Sequence, residues 1–117
     1  EIKEIEELNF FKKEMINRFG IIPDEFSNYL DVMVLKLLAR KCSIAKIYIF
    51  KKMYSITFDK KRTEYSESFI KWVTNSKNKI ILKSSHEIKV NHEIDDAKKQ
   101  LFDIINIVKK MLELLES

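Results

Sequence analysis

Ile5, Leu8, Met15 and Phe19 recur at helical spacing, with Glu6, Glu7, Lys12 and Lys13 on other faces, and predict a first helix. Gly20 follows directly, where a helix ends on a residue in left-handed geometry, so that helix is predicted to stop there. Pro23 then stands at a first helical position, where its missing N–H costs nothing. Asp24 and Glu25 set negative charge against the positive end of the helix dipole. The stripe of Phe26, Leu30, Met33 with Val34, and Leu37 with Leu38 runs to about Cys42 and predicts a central, strongly apolar helix.

From Ile44 the period changes. Lys46 to Lys51 and Tyr54 to Phe58 are β-branched and aromatic, and Lys52-Met53 joins them, which predicts a hairpin without a turn glycine. Ser66 is positioned to cap a short helix that puts Phe69, Ile70 and Val73 on one face, and Asn75 to Asn78 break it. A second strand pair follows, Lys79 to Lys83 and Glu87 to Asn91, with His86 and His92 flanking what reads as an edge strand and facing solvent. Asp95-Asp96 opens a last helix whose stripe is Ala97, Leu101, Ile104 with Ile105, Val108, Met111 with Leu112, and Leu115. Phe102 falls outside that stripe, among Lys98, Asn106, Lys109 and Glu113, and cover by a neighbouring strand is the favoured reading. The predicted order is α-α-β-β-α-β-β-α. That is an α+β fold of two layers, helices packed on mainly antiparallel strands.

At 117 residues, 45% hydrophobic and 34% charged, the chain fits one domain, 1–117, with a real core. No apolar run approaches the roughly 18 residues of a membrane span, which predicts no membrane partner. The chain opens without an initiator Met or a leader, which predicts a fragment of a longer protein in the cytoplasm. Lone Cys42, on an apolar face, reads as a core thiol in a reducing compartment. Charge divides the chain. Residues 1–31 hold four Lys/Arg against eight Asp/Glu, whereas residues 36–62 hold nine against Asp59 alone.

Chemistry finds little support. A single glycine, Gly20, leaves no phosphate cradle, and two histidines and one cysteine in separate elements make no metal cluster. Nucleophilic catalysis wants a Ser or Cys beside a base and a third orienting group, and nothing in the local spacing suggests that arrangement. The expectation is therefore no enzyme activity, no cofactor and no small-molecule ligand. A nucleic-acid module is the alternative. Lys51, Lys52, Lys60, Lys61 and Arg62, with Lys46, surround a hairpin carrying Tyr48, Phe50 and Tyr54, and basic residues among aromatics can pair phosphates and stack bases.

The segment Glu14-Met15-Ile16-Asn17-Arg18-Phe19-Gly20-Ile21-Ile22-Pro23-Asp24-Glu25 resembles the E-L-I-D-R-F-G-x-L-P-x-E opening of the C-terminal domain of bacterial transcription-repair coupling factors. The likeness continues through Leu30 to Lys41, a Leu-rich helix ending in a basic stretch. Two positions depart from the pattern: Asn17 replaces an Asp, and Ser43 stands where the family commonly has Gly.

The resemblance implies a regulatory domain of an ATP-dependent DNA translocase that removes stalled RNA polymerase and recruits nucleotide excision repair through UvrA. Motors and polymerase-binding module would lie upstream. The domain would dock on the N-terminal UvrB-like module of the same protein and mask UvrA binding, which is autoinhibition. Glu14, at the acidic position of the motif, and Arg18, one turn on, are the candidate partner-binding residues.

Overall fold

The computed structural model describes residues 6, 7, 9, 10, 13, 14, 24–59 and 65–116. The first six of these are helical, in agreement with the predicted first helix. Its apolar stripe, the stop at Gly20, Arg18, Pro23 and the basic run Lys60, Lys61, Arg62 lie outside the described residues.

Helix α1 (Asp24–Lys41) buries Leu30, Val34, Leu35 and Leu38. Its end shows how the chain manages without glycine. The Cys42 N–H bonds the Leu38 and Ala39 carbonyls, the Ser43 N–H bonds the Arg40 carbonyl, and Ser43 takes a φ of 59°. That is the left-handed C′ geometry at the position where the resembled family carries Gly, and a side chain there costs about 1–2 kcal/mol. The cap survives the substitution and carries its strain.

Strand β1 (Ile44–Ile49) starts immediately and pairs antiparallel with β2 (Met53–Phe58). Ile44 faces Phe58 and Lys46 faces Thr57, so the register shift between them leaves Ala45 as an extra, bulged residue. The bulge resets the alternation. Ile44 and Ile47, three apart, both pack on the core, while Lys46 and Tyr48 face away from it. Lys51 and Lys52 form the turn, and neither has positive φ, so the hairpin does not use the left-handed turn types that favour glycine.

Helix α2 (Glu67–Thr74) begins where predicted: Ser66 Oγ accepts the Phe69 N–H at 3.1 Å. The same hydroxyl donates to the Leu114 carbonyl at 3.1 Å, satisfying one of the acceptors left open at the end of the last helix. The packed face differs from the prediction. Ile70 is exposed, and Phe69, Trp72 and Val73 face the core. The cause is a ring cluster, with Phe69 stacked on Tyr65 at 4.9 Å and edge-on to Phe58 and Trp72. The break after α2 is a turn with Lys77 and Asn78 both at positive φ.

Strands β3 (Ile80–Leu82) and β4 (Glu87–Asn91) complete one antiparallel sheet of order β1-β2-β4-β3. Strand β4 is interior, paired with β2 on one side and β3 on the other. This corrects the edge-strand reading, and with it the histidines: His92 is 7% exposed and His86 half-buried. Helix α3 (Ala97–Glu116) is capped by Asp96, whose carboxylate accepts the Lys99 N–H at 3.0 Å. Ile104, Ile105, Val108, Met111 and Leu112 are buried as predicted, but Ala97 is exposed and Gln100 takes the inward place. Phe102 is 68% exposed, so no strand covers it.

From residue 24 the order is α-β-β-α-β-β-α, the predicted α+β arrangement. Tyr54, Ile56, Phe58, Ile80, Ile88 and Val90 form the inner face of the sheet and share one core with all three helices. The second face carries none of these core residues.

Candidate interaction surface

Tyr54, Asp103, His92 and Gln100 form a structural network, while His86 lies apart from it with its Nδ1 2.7 Å from the Ser85 hydroxyl. Tyr54 Oη donates to Asp103 Oδ2 at 2.8 Å, joining β2 to α3 across the core. Burial, and then the Asp103 carboxylate beside it, holds this phenol well above its ordinary value of 10.0. His92 stacks on the Tyr54 ring at 4.2 Å. Its Nδ1 accepts the Ile94 N–H at 3.1 Å, so Nε2 carries the proton and donates to the Phe50 carbonyl at 2.9 Å. The His92 N–H also bonds the Lys52 carbonyl, and Gln100 Nε2 donates to the Ile94 carbonyl at 2.6 Å. Together these bonds fasten the tip of the first hairpin to the end of β4 and the start of α3. Cys42 is fully buried, its thiol near the Val108 carbonyl. Among the described residues there is no cluster of metal-ligating side chains and no helix long and apolar enough to cross a membrane.

The second face of the sheet is different in kind. Strand register sets three rows across it: Lys46–Thr57–Glu87–Lys83, Tyr48–Ser55–Lys89–Ile81, and Phe50–Met53–Asn91–Lys79. Tyr48 and Phe50 are each 51% exposed, with ring centroids 6.2 Å apart. The rows carry four lysines, Lys46, Lys79, Lys83 and Lys89, and one carboxylate, that of Glu87, which accepts the Ser55 hydroxyl at 3.1 Å. Beside the face, a groove of about 510 Å³ runs between α1 and β1, floored by Val32, Leu35, Ala39, Ile44 and Ile47 and rimmed by Lys36, Arg40 and Lys46.

The predicted site residues divide accordingly. Lys51 and Lys52 are exposed at the hairpin tip, beside this face. Tyr54, grouped with Tyr48 and Phe50 in the sequence, is instead buried and committed to Asp103. Glu14 is half-buried in helical geometry and already interacts within the chain. The sequence reading missed Lys79, Lys83 and Lys89, because their place beside Tyr48 depends on β4 pairing with β2, a long-range fact. The signal for it was the alternation of Ile88 and Val90, which puts Lys89 opposite to both.

The sequence profile of the TRCF domain family matches residues 1–69. The transcription-repair-coupling factor of Rickettsia conorii is 34% identical over 82 residues, and that of Rickettsia prowazekii 33% over the same length. Each alignment covers 70% of this chain and 7% of the relative. The Rickettsia bellii protein of the same name is 37% identical over 68 residues, 58% of this chain and 6% of its own.

Proposed function

The chain belongs to the TRCF domain family, and on that premise we propose that it is a non-catalytic regulatory module of a transcription-repair coupling factor. In this reading it docks on an N-terminal UvrB-like module of the same protein and masks the surface that receives UvrA. The parent is then an ATP-dependent DNA translocase acting on stalled RNA polymerase, with its motors outside this chain. The observation that carries the reading is one of proportion: 70% of this chain aligns with 7% of its relatives. A piece of that size acts on the rest of such a protein by contact. Its own polar groups agree, since Tyr54, Asp103, His92 and Gln100 are engaged with one another and with the backbone. Glu14 and Arg18 are the proposed contacts, with Glu14 exchanging its present interaction for a cation of the module. The linkage is a coupling between two surfaces, one masked while the other is docked.

The test mixes the 117-residue chain with a purified UvrB-like module and no nucleotide. Association that weakens with salt, and weakens further in Glu14→Lys, is the expected result. UvrA should compete for the module. Absence of association at high protein concentration and low salt would discard the docking reading.

A further inference from the structure

We infer that the open face of the sheet is a binding surface for single-stranded nucleic acid, centred on Tyr48, Phe50, Lys46 and Lys89. A single strand asks a protein for two things: cations along a track for its phosphates, and flat rings on which unstacked bases lie. Both are on this face, and the register puts them in one place. Tyr48 and Lys89 stand in the same row, separated by the small Ser55 of β2. Phe50 and Lys46 occupy the neighbouring rows on the Tyr48 side, and Phe50 and Tyr48 together offer two half-exposed rings.

The central strand supplies the shape. On this face β2 presents Met53, Ser55 and Thr57, and the short side chains of the last two lie between the long ones of β1 and those of β4, with Ser55 donating to Glu87. The polar floor is therefore lower than its flanks. At the hairpin end the track meets a depression of about 590 Å³ where Lys52, Lys77 and Lys79 outnumber the carboxylates of Glu93 and Asp103. Lys77 holds its place there at a φ of 56°, a conformation unusual for a lysine.

A duplex would not use the rings, because its base faces are stacked inside it. An acidic peptide would use the lysines and leave the rings without a flat partner. The charge complementarity and the paired rings together select a single strand. The side chains of Lys46, Tyr48, Phe50 and Lys89 are exposed or half-buried, with Ser55 buried between them. None of these side chains takes part in the network that holds the hairpin tip to α3, which uses only the backbone carbonyls of Phe50 and Lys52 there.

The experiment is fluorescence anisotropy of the 117-residue chain with a labelled oligothymidine of about 20 nucleotides, a length that exceeds one small binding site. Saturable binding is expected at low salt, with log affinity falling by about 0.7 per phosphate neutralised as log salt rises. Tyr48→Ala should weaken binding at least about fivefold without changing the salt slope, since it removes stacking and no charge. The double variant Lys46→Gln/Lys89→Gln should weaken binding and flatten the slope. Thermal melts of both variants should match the parent, because the replaced side chains lie outside the core. If one variant melts early, Phe50→Ser or Lys83→Gln serves in its place. No saturable binding, affinity unchanged in the Tyr48 and Phe50 variants, or competition by polyglutamate as effective as by the oligonucleotide would each overturn the inference.

Discussion

Strand β2 gives the molecule two opposite faces within six residues. Tyr54, Ile56 and Phe58 point inward and are fully or almost fully buried, while Met53, Ser55 and Thr57 point to the other side. On the inner face the Tyr54 phenol holds Asp103, and His92 holds the hairpin tip through two bonds. On the outer face the cations outnumber the carboxylate, and two aromatic rings stand half in water. Inner-face chemistry thus maintains the fold, and outer-face chemistry remains available for a partner. An identical residue type, tyrosine, serves both purposes at Tyr54 and Tyr48. Its role follows from strand phase and not from its identity.

The contrast can be broken from the inside with the largest effect. Phe69 has no exposed surface and touches three other rings, so Phe69→Ala should cost about 3–5 kcal/mol in urea denaturation. Substitution His92→Ala removes the donor to Phe50 and the acceptor for Ile94. It should cost about 1–3 kcal/mol and speed amide hydrogen exchange at the hairpin tip while leaving α2 protected.

Tyr54 allows a test by pH as well as by substitution. Its folded-state pKa is raised, so the folded chain retains the phenolic proton at pH values where the unfolded chain releases it. Stability from this group is fully present below the ordinary value of 10.0 and declines as pH rises beyond it. Melting temperature should therefore fall above about pH 10 in the parent, and fall less in Tyr54→Phe, which itself loses about 1–3 kcal/mol at neutral pH by stranding Asp103. Equal alkaline slopes in the two proteins would refute the assignment.

A gain is expected at the end of α1. Ser43→Gly relieves a left-handed serine and should stabilise the chain by about 1 kcal/mol, read from the denaturation midpoint. The smallest effect belongs to the outer face: Lys46→Ala should change stability by no more than about 0.5 kcal/mol. A larger loss would mean that the outer face, too, serves the fold.

The elements were legible in the sequence because they rest on local signals. Ser66 and Asp96 cap the helices they precede, and Ile88 and Val90 alternate as a strand must. What lay beyond local signals was the order of the strands. Reading β4 as an edge put His92 in solvent, whereas pairing with β2 buries it against Tyr54. Ile70 and Ala97 were misplaced for a related reason. Helical periodicity gives a face about a third of a turn wide, and the ring cluster around Phe69 and the bond from Gln100 to Ile94 decide which part of it turns inward. Half of the candidate surface was visible in advance, as Lys51 and Lys52 beside Tyr48 and Phe50. The other half, Lys79, Lys83 and Lys89, is contributed by strands that come together only through long-range pairing.

The extra residue at Ala45 has a consequence for how this domain can vary through descent. A bulge is a place where chain length changes by one while the facing of every residue after it is preserved. Loss of Ala45 would leave Ile44 turned inward and Lys46 and Tyr48 outward, as they are now. Relatives one residue shorter at the junction of α1 and β1 are therefore expected to retain the same outer face. An insertion or deletion inside β2, between Tyr54 and Phe58, where neither a bulge nor a turn absorbs it, would exchange the two faces and should be rare among chains that fold this way.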